Sequence, residues 1–158
     1  MKRIWAPWRS DYVVLPKPVG CVFCEKAALS DDLGSRILFR GKENFVIMNT
    51  FPYNPGHLMV VPFRHLARIE DLTEDESNEC FRLVRKSVGV LEMATHPNGF
   101  NVGMNLGKVA GAGIADHMHV HIVPRWSGDT NFMPVIAETK VVSESMDAVY
   151  NPLKPYFE

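Results

Sequence analysis

Residues 117–123 have the sequence His117-Met118-His119-Val120-His121-Ile122-Val123, in which every second residue is a histidine until Ile122. Histidine alternates with apolar side chains, which is the period of a β-strand that buries one face in a core. All three imidazoles then lie on one face, about 6.6 to 7 Å apart, and the apolar side chains lie on the other. The stretch therefore predicts a strand that lines a groove with three histidines.

Three histidines on one strand face are compatible with two kinds of site. A neutral imidazole can offer one nitrogen lone pair to phosphorus while its other nitrogen donates a hydrogen bond that fixes the tautomer, and a protonated neighbour can serve the leaving group. The same rings could instead bind a metal or form a surface cluster. The apolar alternate face, followed by Pro124-Arg125-Trp126, favours the catalytic alternative.

Patterns on either side of this stretch predict an α+β domain with an antiparallel sheet. A capping box of Thr73 and Glu76 and apolar residues at helical spacing predict one long helix from about Glu74 to Ala94. A short helix is expected at 24–30, strands at 36–39, 44–48, 57–62 and 100–105, and a helical segment at 143–150. We divide the chain into an extended arm (1–20) rich in Trp, Pro and Arg, a domain (21–142) and a C-terminal segment (143–158).

Composition limits the classes of function. The chain has 158 residues, 46% of them hydrophobic, and a formal net charge of −1, so we expect one domain without the basic field that drives binding to nucleic acid or anionic membranes. No apolar leader or membrane span is evident, which predicts a soluble cytoplasmic protein. Three cysteines, two of them in Cys21-Val22-Phe23-Cys24, argue against a disulfide framework and favour metal or redox chemistry. Cys80 is expected in the core.

The histidine string, followed by Pro-Arg, resembles the signature of the histidine-triad (HIT) family. Further motifs occur in the family's order within roughly residues 20–125: Asn49, Pro55-Gly56-His57, Val60-Val61-Pro62, His65 and Asp71-Leu72-Thr73. Residues 99–105, 110–116 and 124–132 are similar to the bacterial branch that includes diadenosine tetraphosphate phosphorylases. The resemblance implies a HIT-like fold, with an antiparallel sheet, one long helix and a short N-terminal helix.

The resemblance also implies catalytic roles. His119 matches the nucleophile, which forms a covalent nucleotidyl-histidine, and His121 matches the histidine that binds phosphate oxygens and assists the leaving group. Asn105 matches an asparagine of the phosphate region, with a simple turn residue as the alternative. Many members have glutamine where this chain has Gly113. The amides of Gly111, Ala112 and Gly113 are therefore expected to hold phosphate as a nest, with a plain flexible turn as the alternative.

A nucleoside pocket is implied next to these residues. The resemblance places the base and ribose at Val22, Phe23, Ile47 and Asn49, where Asn49 replaces the usual aspartate and offers a donor and an acceptor to ribose hydroxyls. Core packing is the alternative for Phe23 and Ile47. Trp126 is expected to cover the distal phosphates or a second nucleoside by stacking, or else to pack on the surface.

Cys21 and Cys24 have the spacing of two thiolates on one tetrahedral zinc, but two ligands do not close a structural site. A subset of the family, and the related galactose-1-phosphate uridylyltransferases, complete such a site with two histidines, which match His65 and His117 here. A structural Zn²⁺ on these four residues is thus implied, with His57 as a substitute ligand or an outer partner. The alternative is two reduced cysteines and a hydrogen-bonded His65.

These observations together predict an enzyme with two half-reactions. His119 attacks the α-phosphate of an adenine nucleotide or dinucleoside polyphosphate, and then inorganic phosphate or water attacks the intermediate. Phosphate makes the protein a phosphorylase; water makes it a hydrolase of dinucleoside polyphosphates or nucleoside phosphoramidates. A nucleotide-binding or zinc-stabilised regulatory module without turnover is the non-enzymatic alternative. The aromatic N-terminal arm and the habit of the family suggest a homodimer.

Overall fold

A computed structural model describes residues 20–129 and 145–158. The predicted arm up to residue 19, the dimer contact assigned to it, residues 130–142 of the predicted domain and the start of the C-terminal segment lie outside the described residues. The described strands are β1 (Ile37–Arg40), β2 (Asn44–Met48), β3 (Leu58–Pro62), β4 (Gly99–Gly103) and β5 (Val120–Arg125). The α-helices there are α1 (Val22–Ala28), α2 (Asp32–Ser35), α3 (Glu74–Thr95) and α4 (Met146–Leu153), with short 3-10 helices at Ile69–Asp71, Lys108–Ala110 and Lys154–Phe157.

The strands form one antiparallel sheet in the order β1-β2-β3-β5-β4. Because side chains alternate along a strand, the sheet separates two apolar clusters. Helices α3 and α4 cover one face of the sheet. Met118, Val120 and Ile122 belong to the apolar cluster on that face. Helix α1 brings Phe23 onto the other face, against a buried set from β2 and β3 (Phe45, Ile47, Met59 and Val61). The predicted α+β fold with an antiparallel sheet is confirmed.

Helix α3 carries the predicted capping box. The Glu76 carboxylate accepts from the Thr73 amide at 2.7 Å, and Thr73 Oγ1 accepts from the Glu76 amide at 3.2 Å, so two amides at the helix start are satisfied. Further along, the Glu79 carboxylate accepts from the backbone amides of the turn between β1 and β2, at 2.6 to 3.1 Å from Lys42, Glu43 and Asn44. These bonds attach the long helix to the sheet. Among the described helices, none combines the length and apolar character needed to cross a bilayer.

Several predicted boundaries are corrected. The last strand begins at Val120 rather than His117, because the ladder with β3 ends at the Val60–Val120 pair and the Met118 amide donates instead to the Leu66 carbonyl, beyond β3. The first short helix begins at Val22, two residues early, and α2 was not predicted. The predicted hairpin of β4 with the histidine strand is present, with Gly103 opposite His121.

Candidate functional site

The three histidines lie on the face of the sheet opposite α3. Met118, Val120 and Ile122 belong to the cluster under α3, so alternation persists although the first two histidines precede the strand. The ring centroids of His119 and His121 are 4.7 Å apart. The His119 side chain is buried and that of His121 is half-buried, and burial lowers the pKa of each, that of His121 to about 4 with help from the neighbouring His119. Two adjacent neutral imidazoles therefore face the groove.

The tautomer of His119 is set by the backbone. Its Nδ1 lies 2.9 Å from the His117 carbonyl oxygen. A carbonyl only accepts, so Nδ1 carries the proton and donates it. In a neutral ring Nε2 then holds the lone pair, which is the nucleophilic arrangement.

His121 has the complementary arrangement, set by His57. The Tyr53 amide donates to His57 Nδ1 at 3.1 Å, so the proton of that ring is on Nε2. His57 Nε2 lies 2.9 Å from His121 Nδ1 and donates to it. His121 therefore carries its own proton on Nε2. The pair presents one nitrogen lone pair, on His119, beside one N–H donor, on His121.

Four predicted metal ligands come together at one end of the triad. The ligand atoms of Cys21, Cys24, His65 and His117 all lie within 4.8 Å of one another. Cys21 Sγ lies 3.2 Å from His117 Nδ1, and Cys24 Sγ lies 3.4 Å from His65 Nδ1 and 3.6 Å from His117 Nδ1. A tetrahedral zinc with ordinary Zn–S and Zn–N bonds separates sulfur from nitrogen by about 3.6 Å. The cluster therefore has the size of a zinc site.

The protonation of His117 also fits a metal. Its Nε2 donates to the Pro62 carbonyl at 2.9 Å, so the lone pair lies on Nδ1, the atom facing both thiols. A ligating histidine that donates its other N–H to a carbonyl is the usual arrangement in zinc sites. His117 is fully buried, and burial lowers its pKa, which keeps the ring neutral as a ligand requires. His57 lies with His121 instead of this cluster.

The glycine-rich loop is more closed than expected. Asn105 Nδ2 donates to the Gly111 carbonyl at 3.3 Å, which places the amide of Asn105 against the loop predicted to hold phosphate. Within that loop, however, the Gly111 amide donates to Lys108 and the Ala112 amide to Gly107. Two of the three predicted phosphate donors are therefore engaged within the loop, the Gly111 amide in a 3-10 turn and the Ala112 amide in a wider one, and Gly111 adopts the positive φ of 88° that glycine permits.

Three of the predicted nucleoside residues belong to one apolar cluster beside His119. The Phe23 ring lies 5.0 Å from that of His119, centroid to centroid, and packs with Ile47 and the partly buried Val22. Asn49 is engaged at both ends, because its Oδ1 accepts from the Phe51 amide and its Nδ2 lies 3.3 Å from His57 Nδ1. Its ribose role stays a prediction.

Trp126 contacts the end of α3. Its indole N–H donates to the carbonyl of Thr95 at 3.3 Å, at the end of α3. This contact is of the kind that the packing alternative predicts, and the role of Trp126 in nucleotide binding stays a prediction. Sequence reasoning missed the side chain that does lie next to the third histidine, Tyr53, whose ring centroid is 5.9 Å from that of His121.

Comparison with known proteins agrees with this geometry. The profile of the HIT domain family matches residues 31–128. The chain is 42% identical over 153 residues to an AP-4-A phosphorylase of Mycobacterium tuberculosis, covering 91% of this chain and 78% of that protein. It is 37% identical over 97 residues to an asymmetrical bis(5'-nucleosyl)-tetraphosphatase of Schizosaccharomyces pombe, covering 61% and 53%.

A solved structure has the same fold. It is that of a zinc-bound histidine triad family protein from Mycobacterium smegmatis, which superposes with a TM-score of 0.69 at 20% identity, covering 87% of this chain and 93% of the other. Together with the matched profile and the phosphorylase relative, the five-stranded sheet and the triad identify the protein's family: this chain belongs to the HIT domain family.

Proposed function

We propose that this protein cleaves diadenosine polyphosphates, with diadenosine tetraphosphate as the substrate class and inorganic phosphate as the acceptor. The observation that carries the proposal is the fixed pair of tautomers, in which His119 Nε2 has the lone pair and His121 Nε2 has the proton. Such a pair suits nucleophilic attack beside a departing oxygen. The relative named AP-4-A phosphorylase supports this choice of substrate and acceptor.

In the first half-reaction His119 Nε2 attacks the α-phosphorus. The P–N bond forms while the bond from that phosphorus to the bridging oxygen breaks, and the rest of the molecule departs as ATP. His121 Nε2–H donates to the departing oxygen, and His57, hydrogen-bonded to the far side of that ring, holds it in the donating orientation. The adenylyl group remains on His119 as a phosphoramidate.

In the second half-reaction an oxygen of inorganic phosphate attacks the same phosphorus. The P–N bond breaks, ADP forms, and His119 returns to its starting state. The proton that an incoming hydrogen phosphate loses passes to bulk water, because neutral His121 only donates a hydrogen bond in the first step and keeps its own Nε2 proton throughout. With water in place of phosphate the product is AMP, and the protein is a hydrolase, as the Schizosaccharomyces pombe relative is named.

A zinc ion would be held by Cys21, Cys24, His65 and His117, whose donor atoms fit it. When bound it supplies a structural cross-link. It would join the start of α1 to the first triad histidine, whose carbonyl accepts from His119. Bound there, zinc would stay outside the chemistry and would hold in place the His117 backbone that orients the nucleophile.

Product analysis tests the proposal. Purified protein is given diadenosine tetraphosphate with and without inorganic phosphate, and the nucleotides are separated by chromatography. We expect ATP and ADP in phosphate and slow release of AMP without it. ATP and AMP in equal amounts under both conditions would assign the hydrolase reaction, and no turnover under either would leave the non-enzymatic module as the better account.

A further inference from the structure

A cavity of about 350 Å³ opens on the triad face of the sheet. Its floor is formed by β4 and β5, and its wall by the loop before β3. Six of the lining side chains matter here: Tyr53, Asn101, Met104, Asn105, His121 and Arg125. This volume lies within the range of small-molecule sites, about 300 to 1,000 Å³. His119 is not among the lining residues.

The cavity lies on the leaving-group side of the reaction. Phe23 flanks the His119 ring on one side of the triad, and Tyr53 flanks His121 on the other. In an in-line displacement the nucleophile and leaving oxygen lie on opposite sides of the phosphorus. A nucleotide whose α-phosphate meets His119 therefore directs the rest of its phosphate chain past His121, toward this cavity.

The walls suit a nucleoside. The residue Tyr53 is 50% exposed and Met104 is 37% exposed, which leaves an aromatic and a thioether surface for a flat base. Asn101 Oδ1 accepts from Arg125 Nη1 at 2.7 Å, so this carboxamide has its NH₂ group as the end for other acceptors. Adenine nitrogens and ribose hydroxyls are acceptors of that kind.

From these observations we propose that the cavity binds the second nucleoside of the dinucleotide, the one that departs with the leaving polyphosphate, with its base stacked on Tyr53. The assignment rests on the proposed function and adds a reason for preferring a dinucleoside polyphosphate over a nucleotide with one base. Stacking of one base on an aromatic side chain contributes about 1 to 3 kcal/mol, so the preference is expected to be on the order of tenfold.

Two glycines on β4 allow a matched test. Gly103 pairs with His121 and lines the cavity, and an added Cβ there meets no atom within 4 Å. Gly99 lies four residues earlier on the same face, pairs with Arg125, is equally open, and does not line the cavity. Gly103→Leu should fill the cavity, and Gly99→Leu is its control.

The experiment compares two substrates that differ only in the second nucleoside, diadenosine tetraphosphate and adenosine 5′-tetraphosphate. We expect the wild-type protein to favour the first by about tenfold in kcat/KM. Gly103→Leu and Tyr53→Ala should remove this preference by slowing the dinucleotide alone, whereas Gly99→Leu and Tyr53→Phe should retain it.

Two results would overturn the assignment: equal slowing of both substrates by Gly103→Leu and Tyr53→Ala, or a wild-type protein that does not prefer the dinucleotide. Neither result would contradict adenylyl transfer to His119. Absence of adenylyl transfer from either substrate to the wild-type protein would overturn the proposed function, and the subsite with it. If Gly103→Leu fails to fold, the Tyr53 variants still test the assignment, because they do not change β4.

Discussion

Removing zinc should lower the melting temperature by an amount that the positions of the ligands allow us to estimate. The link between Cys24 and His65 alone closes a separation of 41 residues. A cross-link of that length reduces the entropy of the unfolded chain by an amount worth about 4 kcal/mol at 25 °C. For 158 residues the entropy of unfolding is about 0.33 kcal/mol per degree, so the expected loss is roughly 12 °C.

Scanning calorimetry of metal-loaded and chelated protein measures this difference, with metal analysis confirming one zinc per chain before chelation. Cys24→Ser should melt near the chelated wild-type protein and respond little to added zinc. Cys80→Ala is the control, because that buried thiol lies in α3 outside the cluster. Cys80→Ala should melt at a lower temperature because a core side chain becomes smaller. The difference in melting temperature between its zinc-loaded and chelated forms should equal that of the wild-type protein. Identical melting of loaded and chelated wild-type protein would refute the four-ligand site.

Further variants test other parts of the structure. Glu79→Gln should lower the free energy of unfolding by about 2 kcal/mol in urea titration, because the backbone amides at the β1–β2 turn lose a charged acceptor, whereas the exposed Glu74→Gln should change little. Arg64 lowers the pKa of Glu76 to about 2. This carboxylate therefore contributes about 3 kcal/mol at neutral pH, which is lost as pH falls from about 4.5 toward 2. Glu76→Gln should flatten that part of the stability profile. His57→Phe should slow adenylyl transfer about a hundredfold, measured in single turnovers, with little change in substrate binding. Trp126→Phe should cost about 1 kcal/mol of stability and leave KM unchanged.

The face of each triad side chain was predictable because it depends on strand alternation. Burying Met118, Val120 and Ile122 under α3 leaves the histidines on the opposite face, whether or not residues 117–119 pair in the ladder. The long helix was predictable for a similar local reason, its capping box and apolar spacing. Local pattern predicted only the two cysteines of the metal cluster, because its ligands lie far apart in sequence. The two histidine ligands were predicted from the family resemblance.

Contacts between distant segments were not predictable from pattern. The hydrogen bond between His57 and His121 joins residues 64 apart, and no local period indicates it. Tyr53 likewise has no local sequence signal for a role in the site, and only the tertiary structure places it against His57 and His121. The conformation of the glycine loop was not predictable for a different reason. Glycine permits many backbone conformations, so the sequence does not distinguish an open phosphate nest from the closed turn at Lys108–Ala110.

The covalent intermediate on His119 is the most direct test of the account. The protein is mixed rapidly with diadenosine tetraphosphate without inorganic phosphate, quenched at alkaline pH, and analysed by intact and peptide mass spectrometry. We predict one adenylyl group on the peptide that contains His119, its loss on addition of phosphate with formation of ADP, and its absence in His119→Ala. Turnover with no adduct on wild-type protein, or an adduct that persists in His119→Ala, would contradict this prediction.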